Sequence, residues 1–244
     1  MKNKTKIGSI ETYRLIAQLS KREITQLARN TCKHGHSYLA HPKCAFNEKV
    51  IITKNGKKLV LKEKIGFLDI ETFTFSFKAD MGFMLTYCIK DLDGKVHTNK
   101  ITAKECNLKK DWDKRLMKDL IKDLKGYTRV IGHYSTFFDL PFLRTRALFY
   151  DMDFPVYKEI YHTDTYFLLR GKFSLRSKSL KHSCKVFGIS AKDTPFQFDT
   201  WYNAAKGNEK YINEVLQHNI EDVESTELLW KRIQRFSQVN KRSI

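Results

Sequence analysis

Two carboxylates one residue apart, Asp69-Ile70-Glu71, end a run rich in apolar residues that includes Ile65, Phe67 and Leu68. Residues two apart on a strand share a face, so both acids point the same way. Like charges at the end of a buried strand repel and are costly to desolvate. Hard oxygen donors placed so suit Mg²⁺ or Mn²⁺. The same tripeptide also arises as a plain solvated strand end. Two further acids extend the pattern. Asp139 sits among aromatics in Phe137-Phe138-Asp139-Leu140-Pro141-Phe142, at the start of an expected helix, where it either joins the first pair or serves as an N-cap. Asp222 follows His218 by four residues in His218-Asn219-Ile220-Glu221-Asp222-Val223. That spacing puts both on one helical face, as a site would, and as an ordinary surface pair would.

The elements that must position these residues follow from periodicity. Ile65–Glu71 reads as a buried strand, and Phe83–Ile89 and Lys95–Thr102 as a second and third strand separated by a turn at Asp91–Gly94. Residues 111–125 form a charged amphipathic helix ended by Gly126, Arg129–Gly132 a short strand, and Phe138–Tyr150 a helix with Pro141 in its first turn. Beyond residue 164 the pattern is mainly helical. Residues 9–30 carry helical spacing, with a break near Ser20. Val50-Ile51-Ile52 and Leu59-Val60-Leu61 flank Lys54-Asn55-Gly56-Lys57, a strong hairpin signal. A boundary is placed near residue 48, dividing the chain into an N-terminal helical module, 1–48, and a mixed α/β domain, 49–244.

The stretch from residue 32 to residue 44 contains Cys32, His34, His36, His41 and Cys44. Thiolates and imidazoles so close together suit a tetrahedral Zn²⁺ site of Cys32, His34, His41 and Cys44, with His36 as the substitute for His34. With four protein ligands such an ion would be structural. The five cysteines are odd in number and scattered, which argues against a disulfide framework and for an intracellular, cytoplasmic setting, a virus-encoded protein included. No apolar run approaches the length of a signal peptide or a membrane span, so no membrane partner is expected. Lys and Arg number 45 against 27 Asp and Glu, a formal charge of +18. Such an excess favours a polyanionic partner, and nucleic acid first, because each neutralised phosphate releases counterions.

Three blocks together resemble the DEDD 3′–5′ exonucleases of the ribonuclease H-like superfamily: Phe67-Leu68-Asp69-Ile70-Glu71-Thr72, then Gly132-His133 through Phe138-Asp139-Leu140-Pro141-Phe142-Leu143-Arg144, then His218 to Val223. The middle block, and Asp164-Thr165 with Lys178-Ser179-Leu180, look most like the proofreading domains of family-B DNA polymerases and their stand-alone relatives. The resemblance covers roughly 65–235. It implies a ribonuclease H-like mixed sheet flanked by helices. It also implies a 3′–5′ exonuclease acting on single-stranded or frayed nucleic acid, DNA favoured over RNA. Asp69, Glu71, Asp139 and Asp222 would then hold two Mg²⁺ or Mn²⁺ ions. The family's water-orienting Tyr lies four residues before the last Asp, or its His five before; here His218 stands at the Tyr spacing and Gln217 at the His spacing. His218 is either the base or a bystander. Thr72 resembles the position near the terminal 3′-hydroxyl. Tyr134 replaces the usual Asn after Gly-His, and with Phe73, Phe137 and Phe138 could stack on terminal bases; two of the four are expected to be core. The stretch from Gly171 to Lys181, with Lys172, Arg176 and Lys178, is either a phosphate track or a solvated basic loop. A separate polymerase or a replication or repair protein is the expected protein partner. A structure-specific endonuclease, or a binding module without catalysis, are the alternatives.

Overall fold

The computed structural model describes residues 5–6, 21–32, 34–38, 51–54, 57–60, 64–74, 78–108, 111–156, 159–190 and 197–237. It separates into two compact units, Met1–Lys64 with Lys125–Arg129, and Ile65–Leu124 with Val130–Ile244.

In the first unit, β1 (Thr5–Lys6) runs parallel to β3 (Lys57–Val60), which pairs antiparallel with β2 (Ile51–Lys54). Lys54 pairs with Lys57, the register expected of a two-residue Asn-Gly hairpin. Helix α1 spans Lys21–Arg29, the second part of the helix expected over 9–30; the first part lies outside the described residues. A tight turn follows, in which Cys32 N–H donates to His36 O at 2.8 Å and Gly35 N–H to Cys32 O at 2.8 Å, with Gly35 at φ 78°.

The second unit is a five-stranded sheet flanked by helices, the α/β layout expected. Its strand order is β6-β5-β4-β7-β8, where β4 is Ile65–Thr74, β5 Gly82–Asp91, β6 Val96–Lys100, β7 Arg129–Gly132 and β8 Tyr161–Asp164. Strands β4 to β6 form the expected antiparallel meander. Strand β8 falls in a stretch, 151–164, for which the sequence pattern assigns no element: Tyr-His-Thr-Asp lacks an apolar alternation, and sheet pairing, not pattern, makes it a strand. The helices are α2 (Ala103–Cys106), α3 (Lys114–Leu124), α4 (Asp139–Phe149), α5 (Thr165–Lys172), α6 (Leu180–Val186), α7 (Phe198–Ala205) and α8 (Glu209–Ile233).

Two of these helices cover opposite faces of the sheet. Tyr87 reaches Asp123 of α3 through its hydroxyl at 2.8 Å. Thr86, one residue earlier and so on the other face, reaches Asn219 of α8 at 3.1 Å. On the α8 face Phe67, Cys88 and Ile131 pack with Val223 in a solvent-free cluster. Phe67, Asp69 and Glu71 alternate along β4, so the same alternation that buries Phe67 carries the two acids towards α8. Among the described residues no helix is long and apolar enough to cross a membrane.

Candidate active site on the carboxylate strand

Three elements supply the candidate residues: β4, α4 and α8. Asp69 and Glu71 come from β4. The register against β5 shifts between Glu71 and Thr72, where Glu71 pairs with Thr86 and Thr72 with Met84, leaving Leu85 as the extra residue. A bulge of this kind bends β5 opposite the second acid and raises the local twist of the pair, as bulges beside functional sites often do. Asp139 is the first residue of α4, and Phe138 before it provides no side-chain cap. The carboxylate of Asp139 instead accepts the backbone N–H of Ile70, between the two β4 acids, at 3.2 Å. Of the two roles open to it in sequence, Asp139 therefore turns towards the carboxylate strand. Asp222 and His218 lie one turn apart on α8, with His218 Nε2 3.6 Å from Asp222 Oδ2 and 3.6 Å from Glu71 Oε1.

Burial holds the Asp69 carboxyl well above its ordinary range, and the charges of Asp139, Glu71 and Asp222 raise it further. Burial also lifts Glu71, with Asp222 as its largest charged neighbour. Asp139 is pushed up to about 7, mainly by burial, with Asp164 and Asp222 adding to it against hydrogen bonds from the backbone N–H groups of Asp139 and Ile70. The charged neighbours acting on these three acids are other acids. Such a cluster is stable only when protonated or when a cation joins it.

Three residues outside the sequence-derived site hold it in shape. Asn219, fully buried, receives the Thr86 hydroxyl on its Oδ1 and donates Nδ2–H to Asp69 Oδ2 at 2.5 Å. Its signal is present in sequence: Val215, Asn219 and Val223 form an i, i+4, i+8 stripe, and a polar residue in an apolar stripe needs a partner. Trp201 of α7 donates its indole N–H to Glu71 Oε2 at 3.1 Å and packs edge-on against His218. No sequence signal links residues 130 positions apart. Asp164 accepts backbone N–H groups from Tyr134 at 2.9 Å, Thr136 at 2.8 Å and Tyr166 at 2.9 Å. It thereby locks the turn between β7 and α4, in which Tyr134 adopts φ 62°. Gly132 is obligatory there, since a Cβ would lie 2.3 Å from Ser135 Oγ.

A family model described as the RNase H superfamily matches residues 66–234, a span that contains all four acids. The chain belongs to the RNase H superfamily. The fold is also similar to that of the family B DNA polymerase from the hyperthermophilic archaeon Pyrobaculum calidifontis, with a TM-score of 0.56 at 15% identity, over 73% of this chain and 27% of that one. The chain thus corresponds to little more than a quarter of the polymerase's length. No curated protein matches the sequence.

Around the acids of this RNase H domain, the expected substrate-side residues divide. Tyr134 is exposed, as is Phe137 at 60%, and the two pack with Tyr166 and Phe167 in a chain of tilted ring contacts. Phe138 is partly buried and turns to Phe142 of α4. Thr72 and Phe73 are partly buried on β4 beyond the bulge, and Phe73 touches Tyr202 of α7, itself stacked with the exposed Phe198. In the basic loop Lys172, Arg176 and Lys181 are exposed, whereas Lys178 is half-buried and donates to Leu175 O at 2.6 Å. In the first unit Cys32 is buried, with Sγ 3.8 Å from His34 Nδ1; His36 is exposed. His41 and Cys44 lie outside the described residues.

Proposed function

We propose that this RNase H superfamily domain is a metal-dependent 3′–5′ exonuclease of the DEDD type, hydrolysing phosphodiester bonds of single-stranded or frayed nucleic acid, DNA favoured. The observation that carries the reading is the grouping of Asp139, which is buried, with Asp69 and Glu71, which are partly buried, each raised by burial and by the charges of neighbouring acids. Hard divalent ions fit that donor set. The oxygens converge from β4, α4 and α8, and the burial and mutual repulsion that raise Asp69, Glu71 and Asp139 favour a cation among them. In this reading Asp69, Glu71, Asp139 and Asp222 hold two Mg²⁺ or Mn²⁺ ions. When bound, such ions supply an activated water and positive charge facing the scissile phosphate.

The chain's own groups prepare that chemistry. Asn219 and the Ile70 N–H fix one oxygen each of Asp69 and Asp139, and Trp201 fixes one of Glu71. The acids are thus oriented before substrate arrives, at little cost in side-chain ordering. The exposed rings of Tyr134 and Phe137 offer a sequence-tolerant surface for terminal bases. Lys172, Arg176 and Lys181 offer charge for the backbone. The 3′–5′ polarity, the DNA preference and a replication or repair partner rest on the resemblance of the motif blocks. The Zn²⁺ module is proposed on the clustering of cysteines and histidines at 32–44, with Cys32 and His34 as half of its ligands: their 3.8 Å separation is close to that of a thiolate and an imidazole about 2.3 and 2.1 Å from one tetrahedral ion.

The test is digestion of 5′-labelled single-stranded DNA and RNA with Mg²⁺ or Mn²⁺, wild type beside Asp222→Ala, with a closed circular single strand as control. The expected result is a ladder shortening from the 3′ end, absent in the variant, with the circle intact. Cleavage of the circle would replace the exonuclease by an endonuclease. Binding without cleavage of any substrate would overturn the enzymatic reading.

A further inference from the structure

The imidazole of His218 stands between two carboxylates without bonding either. Its Nε2 lies 3.6 Å from an oxygen of Glu71 and 3.6 Å from an oxygen of Asp222, beyond hydrogen-bond range. One donor atom from each of the three residues lies within 4.8 Å of the other two, the only such His/Cys/Asp/Glu group among the described residues. Cis donors ~2.2 Å from one octahedral first-row ion stand ~3.1 Å apart. The 3.6 Å separations of His218 from its two acids are slightly wider than that, a gap that small side-chain adjustments close when an ion binds.

A histidine that accepts a proton in catalysis is usually oriented by a hydrogen bond at its second ring nitrogen. Nδ1 of His218 is buried with no such bond. The ring is held by shape, edge-on to Trp201 with centroids 5.1 Å apart at 85°, and the indole N–H of the same tryptophan binds Glu71. Trp201 therefore sets an imidazole and a carboxylate relative to one another. A ligating histidine commonly uses its second nitrogen too. The discriminating feature is thus Nε2, which converges with two anionic oxygens and is 13% exposed as a side chain.

We propose that His218 is a metal ligand together with Glu71 and Asp222, not a proton acceptor, and that this N,O,O site prefers Mn²⁺ to Mg²⁺. The proposal rests on the metal-dependent reading above and narrows it. Mg²⁺ takes oxygen donors and retains its waters, whereas first-row transition ions accept imidazole nitrogen readily. His218 adds affinity for the second kind of ion and little for the first. The departure from the tyrosine expected at this spacing then has a physical meaning: a phenol is replaced by a donor that binds metal directly.

The experiment is calorimetric titration of the full chain with Mn²⁺ and with Mg²⁺, followed by pulsed EPR of the Mn²⁺-loaded protein at natural abundance and with ¹⁵N-histidine. The expected result is Mn²⁺ binding about tenfold or more tighter than Mg²⁺, with a nitrogen coupling that changes on ¹⁵N labelling. Both the preference and the coupling should disappear in His218→Gln. Bound Mn²⁺ without a histidine coupling in the wild type would overturn the proposal and leave an all-oxygen metal site standing. A coupling that persists in folded His218→Gln would overturn it as well. If no Mn²⁺ binds, the metal-dependent reading falls with it. The isotope comparison needs no variant to show that a histidine ligates the ion; if His218→Gln does not fold, His218→Asn is the second variant that assigns the coupling to this residue, and a coupling that persists in it overturns the proposal.

Discussion

Two regions of the RNase H domain hold acids with little access to solvent, one around Asp113 and one around Asp69, Glu71 and Asp139, and their surroundings are opposite. Asp113, at the start of α3, is fully enclosed. It receives the Arg146 guanidinium at 2.5 Å, the Tyr150 hydroxyl at 2.6 Å and the Met84 N–H at 2.8 Å. Arg146 reaches from α4 and also donates to Ala79 O. Every element of that cluster is pinned to another by a compensated charge, which is what a structural carboxylate requires. Asp69, Glu71 and Asp139 lie against one another, with polar donors that orient them and, among the described residues, no guanidinium that neutralises them. One helix separates the two cases: α4 gives Asp139 to the uncompensated group and Arg146 to the compensated one. Burial of an acid alone therefore says little about function. The sign of what surrounds it says a great deal.

Breaking the compensated region should show the largest effect. Asp113→Ala leaves a buried guanidinium unpaired and should cost ~3–5 kcal/mol of stability, read as a fall in Tm or denaturant midpoint; a change under about 1 kcal/mol would mean that Arg146 finds another partner. In the uncompensated region the effect should invert. Asp69→Asn removes one repelling charge, so the metal-free protein should melt no lower than wild type, while nuclease activity falls by ~10²–10³-fold or more. Loss of both stability and activity would erase the distinction drawn between the regions.

The pH dependence sharpens the same contrast. The unfolded acids titrate near 4, and in the folded, metal-free protein Asp69, Glu71 and Asp139 titrate higher, Asp139 at about 7. Groups with raised folded pKa values stabilise below their unfolded pKa, and that stability is lost as pH rises through the folded one. In EDTA the Tm should therefore fall as pH rises from 5 to 8, and saturating Mn²⁺ should restore it by several degrees. A Tm that rises over that window in EDTA would contradict the assigned burial. Smaller effects belong to the orienting residues. Asn219→Ala should weaken Mn²⁺ binding ~10–100-fold by freeing Asp69, measured by calorimetry. Trp201→Phe keeps a ring against His218 and removes only the hydrogen bond to Glu71, so its effect on Mn²⁺ affinity should be about tenfold or less.

The site was legible where chemistry is written in local spacing. Asp69 and Glu71 share a strand face, His218 and Asp222 share a helix face, and Asp139 opens a helix. These are consequences of periods of two and 3.6, and they survive into the fold unchanged. The hairpin at 51–60 and the meander of β4 to β6 are legible for the same reason. What escaped was set by distant contacts. Tyr161–Asp164 carries no strand pattern, and only its place at the sheet edge makes it β8. Asp164 looked like part of a motif; its three N–H contacts, which shape the turn at Tyr134, belong to chain segments 28 and 30 residues upstream and to Tyr166.

By itself the sequence determined which side chains could act and which neighbours share a face with them. Those relations depend on backbone geometry over a few residues, and any strand or helix enforces them. Only the tertiary structure decided that Asn219 holds Asp69, that Trp201 binds Glu71 while gripping His218, and that the imidazole points between two acids. Those relations join positions 130 and 150 residues apart. They arise because one face of β4 must pack against α7 and α8, and packing puts together side chains that no spacing relates.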